Sequence, residues 1–365
     1  MKKNDASPEP HGGNVYRAAR ELGLTESDLI DFSSNINPLG PPEYLKNAIV
    51  RNLDSIQRYP DPGYERLRRA VAEYHALPAE QVIAGNGATE LIYLFARALK
   101  PARALIAAPA FSEYERALRL ALCRVNYFRL PEEEDFALDV DSLLRGMNKN
   151  FDLVVLCNPN NPTGGYIRPE SVEAVCSAAR RQGTWVLLDE SFIEFVARRE
   201  TGGPAYPQNK NKNVFILRSM TKFFALPGLR LGYSLCPNRA FNDRMIREKE
   251  PWSVNALAEL AGCAVLSDRE YREKTVSLVE TESNYLRDSL AALHWLTVFP
   301  SEANFLLARI ENEFTSSRLT DALLKKNILI RDASTFKFLN SKHFRMAVKD
   351  RADNRRLVEA LGSLA

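Results

Sequence analysis

Lys222 follows the β-branched apolar run VFIL (214–217) and is itself followed by two phenylalanines. Taken alone it is one of 49 Lys and Arg residues, and a surface lysine on a loop is the simpler reading. A lysine amine can also condense with an aldehyde, so its neighbours at other strand ends decide. Asp189 closes WVLL (185–188), and a carboxylate there can hold a ring nitrogen protonated. NPNNPTG follows the run 153–157, and GNGAT follows VIA (82–84) and opens a helical pattern. Phe111 stands just past ALIAA (104–108), with a flat face that can stack on a planar ring. Ser219 and Thr221 flank the lysine's turn, and Arg230 lies eight residues beyond it. Backbone amides at a helix start, a hydroxyl and an arginine together can hold a phosphate. Each item also has a plain structural reading. GNGAT lacks the GK[ST] of a phosphate-binding P-loop and can be a tight turn. NPNNPTG can be a polar turn, Asp189 a helix cap, and Phe111 a core residue.

The elements that must position these residues alternate regularly. VIAGNG, ALIAAPAF, RVNYFRL, DLVVLCNP, WVLLDE and VFILRS read as short strands. Between them ATELIYLFARALK, SEYERALRLAL, DVDSLLRGM and RPESVEAVCSAARRQG read as helices, the last with Pro169 near its start and Gly183 after its end. Continuous apolar strands alternating with helices imply an α/β fold around a mostly parallel, buried sheet. In such sheets ligands bind outside the carboxyl ends of the strands, where all the residues above stand. After Pro251 the pattern changes to long helices and then NFLLARI, ILIRDAS and HFRMAV, which reads as a smaller α+β unit. The expected division is an N-terminal arm (1–35), a large domain (36–255) and a small C-terminal domain (256–365). As a set, the strand-end residues are what pyridoxal 5′-phosphate requires.

Bulk composition narrows the class. The 365 residues are 45% hydrophobic and 26% charged, with a net charge of +3, an ordinary globular balance with no nucleic-acid or membrane signature. MKKNDASPEP lacks an apolar core like that of a secretory signal, and no apolar run is long enough to span a membrane. Five cysteines without CxxC spacing are expected to be reduced in a cytoplasmic protein, and four scattered histidines argue against a metal site.

SSNINPLG, RYPDPGY, GNGATE, CNPNNPTG, LLDES and SMTKFFALPGLRLGY, in that order, resemble the fold-type I pyridoxal-phosphate enzymes, and among them the histidinol-phosphate aminotransferase-like subgroup. The resemblance spans nearly the whole chain. It implies that Lys222 binds the cofactor aldehyde and moves protons at the substrate Cα, and that Asp189 pairs with the ring nitrogen. Asn161 would bond the ring oxygen, Phe111 would stack on the ring, and Gly87, Ala88, Ser219 and Arg230 would hold the phosphate. Tyr59 of RYPDP would reach that phosphate from a neighbouring subunit, which implies a homodimer. Many members carry a tyrosine three residues after the aspartate, where this chain has Phe192.

Two C-terminal arginines, Arg331 and Arg345, match the subgroup's substrate-anion positions. Arg345 would clamp an α-carboxylate and Arg331 a second anion such as a phosphoester. Cofactor chemistry breaks whichever Cα bond stands perpendicular to the ring, and residue types do not reveal that rotation. From the residues, decarboxylation and transamination therefore both remain open. HGGNVYRAA, SSNINPLG, the phenylalanine of DESFIEF, and REKEPWSVNALA are similar to threonine-phosphate decarboxylases of cobalamin biosynthesis. That resemblance adds His11 and Ile36 to the substrate-binding set. The rivals are serine-phosphate decarboxylation, histidinol-phosphate transamination, and a catalytically silent binding protein on the same fold.

Overall fold

The computed structural model describes residue 12 and residues 14–147, 151–196 and 211–364. A two-residue strand, β1 (Ile30–Asp31), precedes the main sheet. That sheet contains β2 (Val82–Asn86), β3 (Arg103–Ala108), β4 (Arg124–Arg129), β5 (Leu153–Cys157), β6 (Trp185–Asp189), β7 (Val214–Ser219) and β8 (Leu231–Leu235). Its order is β2-β8-β7-β6-β5-β3-β4. Strands β3 to β7 pair in parallel, and β8 runs antiparallel to both its neighbours, β7 and β2. This is the mostly parallel α/β sheet expected. β8 was not anticipated: Gly232, Tyr233 and Ser234 interrupt any apolar run there.

Strand periodicity sorts side chains between two cores. Val154, Leu156, Val186, Leu188, Val214 and Ile216 face one side, and Leu153, Val155, Leu187, Phe215 and Leu217 the other. The first side is covered in part by helices α2 (Glu43–Arg51), α3 (Glu65–His75), α6 (Val140–Gly146), α7 (Pro169–Gln182) and α9 (Ala256–Val265). The second is covered by α4 (Gly87–Leu99), α5 (Ser112–Leu120) and α8 (Arg239–Glu248). Edge strand β4 is only half-buried and begins and ends on arginine, as suits an edge.

A second sheet, of order β12-β13-β10-β9, is antiparallel throughout. It comprises β9 (Leu296–Val298), β10 (Phe305–Ile310), β12 (Arg331–Asp332) and β13 (His343–Ala347). With α10 (Arg269–Ala291), α11 (Ser316–Leu324) and α12 (Arg351–Gly362) it buries its own cluster, including Leu286, Leu319, Phe344 and Leu357. β11 (Ile328–Leu329) pairs in parallel with β1. Ala18 and Ala19 of α1 (Val15–Leu22) pack near Leu324 and Leu329, so the early chain lies on the C-terminal elements. Among the described residues no helix is long and apolar enough to cross a membrane, and no cluster of His, Cys, Asp and Glu could hold a metal ion.

Candidate active site

The carboxyl ends of β3, β5, β6 and β7 open onto a cavity of about 350 Å3, a size suited to a small ligand. Its anion-binding corner is made by three elements meeting closely. β2 passes straight into α4 at Gly87, whose φ of +76° is a conformation that disfavours any side chain. A Cβ there would lie 2.7 Å from Arg230 Nη2, and a Cβ on Gly232 would lie 2.5 Å from the backbone nitrogen of Ala88. The first turn of α4, the guanidinium of Arg230 and strand β8 are thus in direct contact. Ala88, Thr89, Ser219, Thr221 and Arg230 line the cavity together. The hydroxyls of Ser219 and Thr221 are 2.8 Å apart. Helix-start amides, two hydroxyls and a guanidinium form an anion cradle.

Asp189 ends β6 and is buried. Its Oδ1 accepts the Ser191 amide at 2.8 Å and its Oδ2 accepts the Tyr114 hydroxyl at 2.5 Å. Burial raises its pKa, and the hydrogen bonds from Ser191 and Tyr114 oppose that rise. Phe111 caps the start of α5 and meets Tyr114 edge-to-face at 5.7 Å. Lys222 sits in the turn after β7, with its carbonyl accepting the Asn37 amide at 3.1 Å. Asn37 Nδ2 also donates to the Phe223 carbonyl at 2.7 Å, which ties the SSNINPLG loop to the lysine's turn. Burial, and then the charges of Arg345 and Arg230, lower the Lys222 amine to about 8.

Arg331 and Arg345 lie directly opposite each other across β12 and β13. Like charges at facing positions repel, and both residues are buried. Burial and then Arg331 pull Arg345 down to about 9. Arg345 donates to Asn161 Oδ1 and, at 3.0 Å, to the Ser33 carbonyl, but its buried Nε has no partner. Arg331 Nη2 donates to Thr335 Oγ1 at 2.8 Å. Two buried cations facing one cavity are a site for anions.

The sequence-predicted Ala88, Phe111, Asn161, Asp189, Ser219, Lys222, Arg230, Arg331 and Arg345 all line this one cavity, with Gly87 against Arg230. Ile36 is half-buried on the adjoining loop, outside the lining, with its amide donating to the Ser34 carbonyl at 2.9 Å. Tyr59 also lies outside it, 81% exposed and tilted against Trp252 at 4.7 Å between ring centres. His11 falls outside the described residues. Its neighbour Gly12 lines the cavity, and a Cβ there would collide with the Ser33 carbonyl. Phe192 is buried in the cavity wall, edge-to-face with Phe305 at 5.0 Å.

Sequence reasoning assigned no part to Tyr114, Ser191 or Thr89. The spacing of Tyr114, three residues after Phe111 and hence on the same helix face, was the available signal for it. The donor set fits pyridoxal 5′-phosphate: a cradle that a Cβ at Gly87 would fill, a desolvated amine, a buried carboxylate and an aromatic face.

The sequence profile of aminotransferase class I and II matches residues 27–361. The chain belongs to that family. The chain is 41% identical to threonine-phosphate decarboxylase of Salmonella typhimurium, over 96% of this chain and 95% of the relative. Among solved structures, histidinol-phosphate aminotransferase from Clostridium acetobutylicum superposes with a TM-score of 0.85 at 32% identity, covering 92% of this chain and 99% of that one. L-threonine-O-3-phosphate decarboxylase from Porphyromonas gingivalis superposes with a TM-score of 0.81 at 29% identity, covering 91% and 98%.

Proposed function

We propose that this chain is a pyridoxal-phosphate-dependent carboxy-lyase that converts L-threonine O-3-phosphate into (R)-1-amino-2-propanol O-2-phosphate and CO2 for cobalamin biosynthesis. The carrying observation is the buried, facing pair Arg331 and Arg345 in the cavity that holds Lys222. Such a pair calls for a substrate with two anionic groups, a carboxylate and a phosphate. The 41% identity to a threonine-phosphate decarboxylase supports the same reading.

When bound, the cofactor supplies a sink for the electron pair left as a Cα bond breaks. The protein's residues arrange everything else. Gly87, Ala88, Ser219 and Arg230 hold the cofactor phosphate. Lys222, with its pKa near 8, is largely protonated at neutral pH yet keeps an appreciable neutral fraction for reaction with the aldehyde. The same amine then returns a proton to Cα after CO2 departs. Asp189 would pair with the ring nitrogen and favour its protonated form. Because Arg345 donates to Asn161 Oδ1, the amide NH2 of Asn161 is left to donate to the ring oxygen. Phe192 has no hydroxyl to share that task. Phe111 would offer its face to the ring. Arg345 grips the carboxylate, and Arg331, with His11 from the arm, grips the substrate phosphate, while Ile36 borders the substrate.

We place the chain in the cytoplasm as a homodimer in which Tyr59 completes the partner's phosphate site. We divide it into an arm (1–35), a large domain (36–255) and a small domain (256–365). The superposition on a histidinol-phosphate aminotransferase favours a second reading, transamination. Serine phosphate, one methyl smaller, is the nearest alternative substrate, and a methyl discriminates by only about 1–3 kcal/mol. The test is incubation with threonine phosphate, serine phosphate, or histidinol phosphate plus 2-oxoglutarate, with CO2 and glutamate as readouts. CO2 from threonine phosphate without a keto acid is expected. Glutamate formation from histidinol phosphate with no CO2 from threonine phosphate would sink the proposal.

A further inference from the structure

We propose that Tyr114 is a positioning residue for Asp189, its phenol locking the carboxylate in the orientation that meets the cofactor ring. This rests on the assignment of Asp189 to the ring nitrogen. Tyr114 is 1% exposed, and its hydroxyl donates to Asp189 Oδ2 at 2.5 Å. The other oxygen, Oδ1, is held by the Ser191 amide at 2.8 Å, so both carboxylate oxygens are fixed and rotation about Cβ–Cγ is blocked. The same helix turn carries Phe111, whose ring meets Tyr114 edge-to-face at 5.7 Å. One turn of α5 therefore sets both the aromatic face and the carboxylate.

The phenol also has an electrostatic effect. A hydrogen bond donated to a carboxylate favours its ionised form. Burial pushes the Asp189 pKa up, and Ser191 and Tyr114 work against it. The other groups around this contact are the Cys157 thiol on β5, which lies beside Tyr114, and Glu190, whose charge is met by Arg218 at 2.5 Å. Lys222 and Arg230 share the cavity. The Cys157 thiol donates to the Pro159 carbonyl at 3.3 Å, and Glu190 repels. Tyr114, together with Ser191, thus favours the charged form of Asp189 without placing a competing cation in the cavity.

The test is titration of the apoprotein with pyridoxal 5′-phosphate as a function of pH. Affinity is lost as pH falls through the Asp189 pKa. Loss of the phenol raises that pKa, so in Tyr114→Phe the acid limb moves to higher pH, and affinity at neutral pH falls about tenfold. In an Asp189→Asn background the same change has little effect, less than about twofold, because no charge remains to be held. Equal losses in both backgrounds, or an unmoved acid limb, overturn the proposal. If Asp189→Asn alone leaves affinity and pH dependence untouched, the assignment of Asp189 to the ring nitrogen fails instead. Should Tyr114→Phe not fold, the comparison passes to Tyr114→His, which keeps a ring donor, and Tyr114→Met, which does not. Affinity is expected to survive in the first and drop in the second, and equal affinities overturn the proposal.

Discussion

At the residue scale the cavity is a balance of unlike demands on buried charge. Lys222 must be deprotonated to react, and burial with two guanidinium neighbours brings its amine to about 8. Reconstitution of the apoprotein with pyridoxal phosphate should therefore accelerate as pH rises through about 8. Lys222→Ala should leave a protein that no borohydride treatment can label, where the native protein is labelled on the SMTK peptide. A label on any other lysine contradicts the site. Arg345 shows the opposite cost. Its pKa is depressed to about 9 by burial and by Arg331, so the folded state binds fewer protons than the unfolded chain. The cation thus destabilises the empty protein below about pH 9, and this cost fades as pH climbs toward the ordinary arginine value. Arg345→Met should leave the apoprotein melting temperature unchanged or raised at pH 7. It should raise the KM for threonine phosphate by about two orders of magnitude, since losing one member of a buried charge pair costs roughly 2–5 kcal/mol. A matched loss of stability and of substrate affinity would mean that Arg345 is structural.

At the element scale, three backbones crowd the cradle: the end of β2, the first turn of α4, and β8. A Cβ at Gly232 would press on the Ala88 nitrogen at 2.5 Å, and backbone cannot swing aside as a side chain can. Gly232→Ala should push α4 off β8, costing about 1–3 kcal/mol of stability by overpacking and weakening pyridoxal-phosphate binding more than it weakens substrate binding in the fully loaded enzyme. Unchanged cofactor affinity would show that the turn tolerates the shift. This contact also marks the limit of what the sequence displays. Strands β5, β6 and β7 are legible because burial on both faces demands unbroken apolar runs, and the residues ending them are legible because ligands bind at those ends. β8 carries Gly, Tyr and Ser in place of such a run, and for Gly232 the reason lies in another element, the start of α4. Tyr114 is legible only in part: its spacing from Phe111 puts it on the same helix face, but its bond to Asp189 depends on α5 meeting the end of β6, a tertiary relation. Arg331 and Arg345 are legible as candidates, whereas their cross-strand registry appears only once β12 and β13 are paired.

At the scale of the whole molecule, the two sheets meet across the cavity and are linked outside it. Glu132, between β4 and α6, accepts from Arg309 of β10 at 2.6 Å and lies 3.4 Å from His343 of β13. The sheet carrying Arg331 and Arg345 is thus tied to the sheet whose strand β7 leads into Lys222. Tyr59, a predicted site residue, lies apart from the cavity: it projects from the surface, 81% exposed, with its ring resting on Trp252. A tyrosine resting on a half-exposed tryptophan is braced on one side while most of its surface stays open to solvent. Leu53 and Ile56, earlier in the same segment, and Trp252 are exposed as well, apolar residues of the kind that a second subunit covers. If Tyr59 completes the partner's site, each site draws on two chains, and complementation follows. Mixing Tyr59→Phe subunits with Lys222→Ala subunits should create heterodimers with one site carrying both lesions and one carrying neither. Activity should then recover to about one native site per heterodimer, and cofactor absorbance should return with it. If Tyr59 serves its own chain's site, every site in the mixed dimer carries one lesion and nothing recovers. Absence of recovery in heterodimers verified by mass would therefore place Tyr59 outside the shared site.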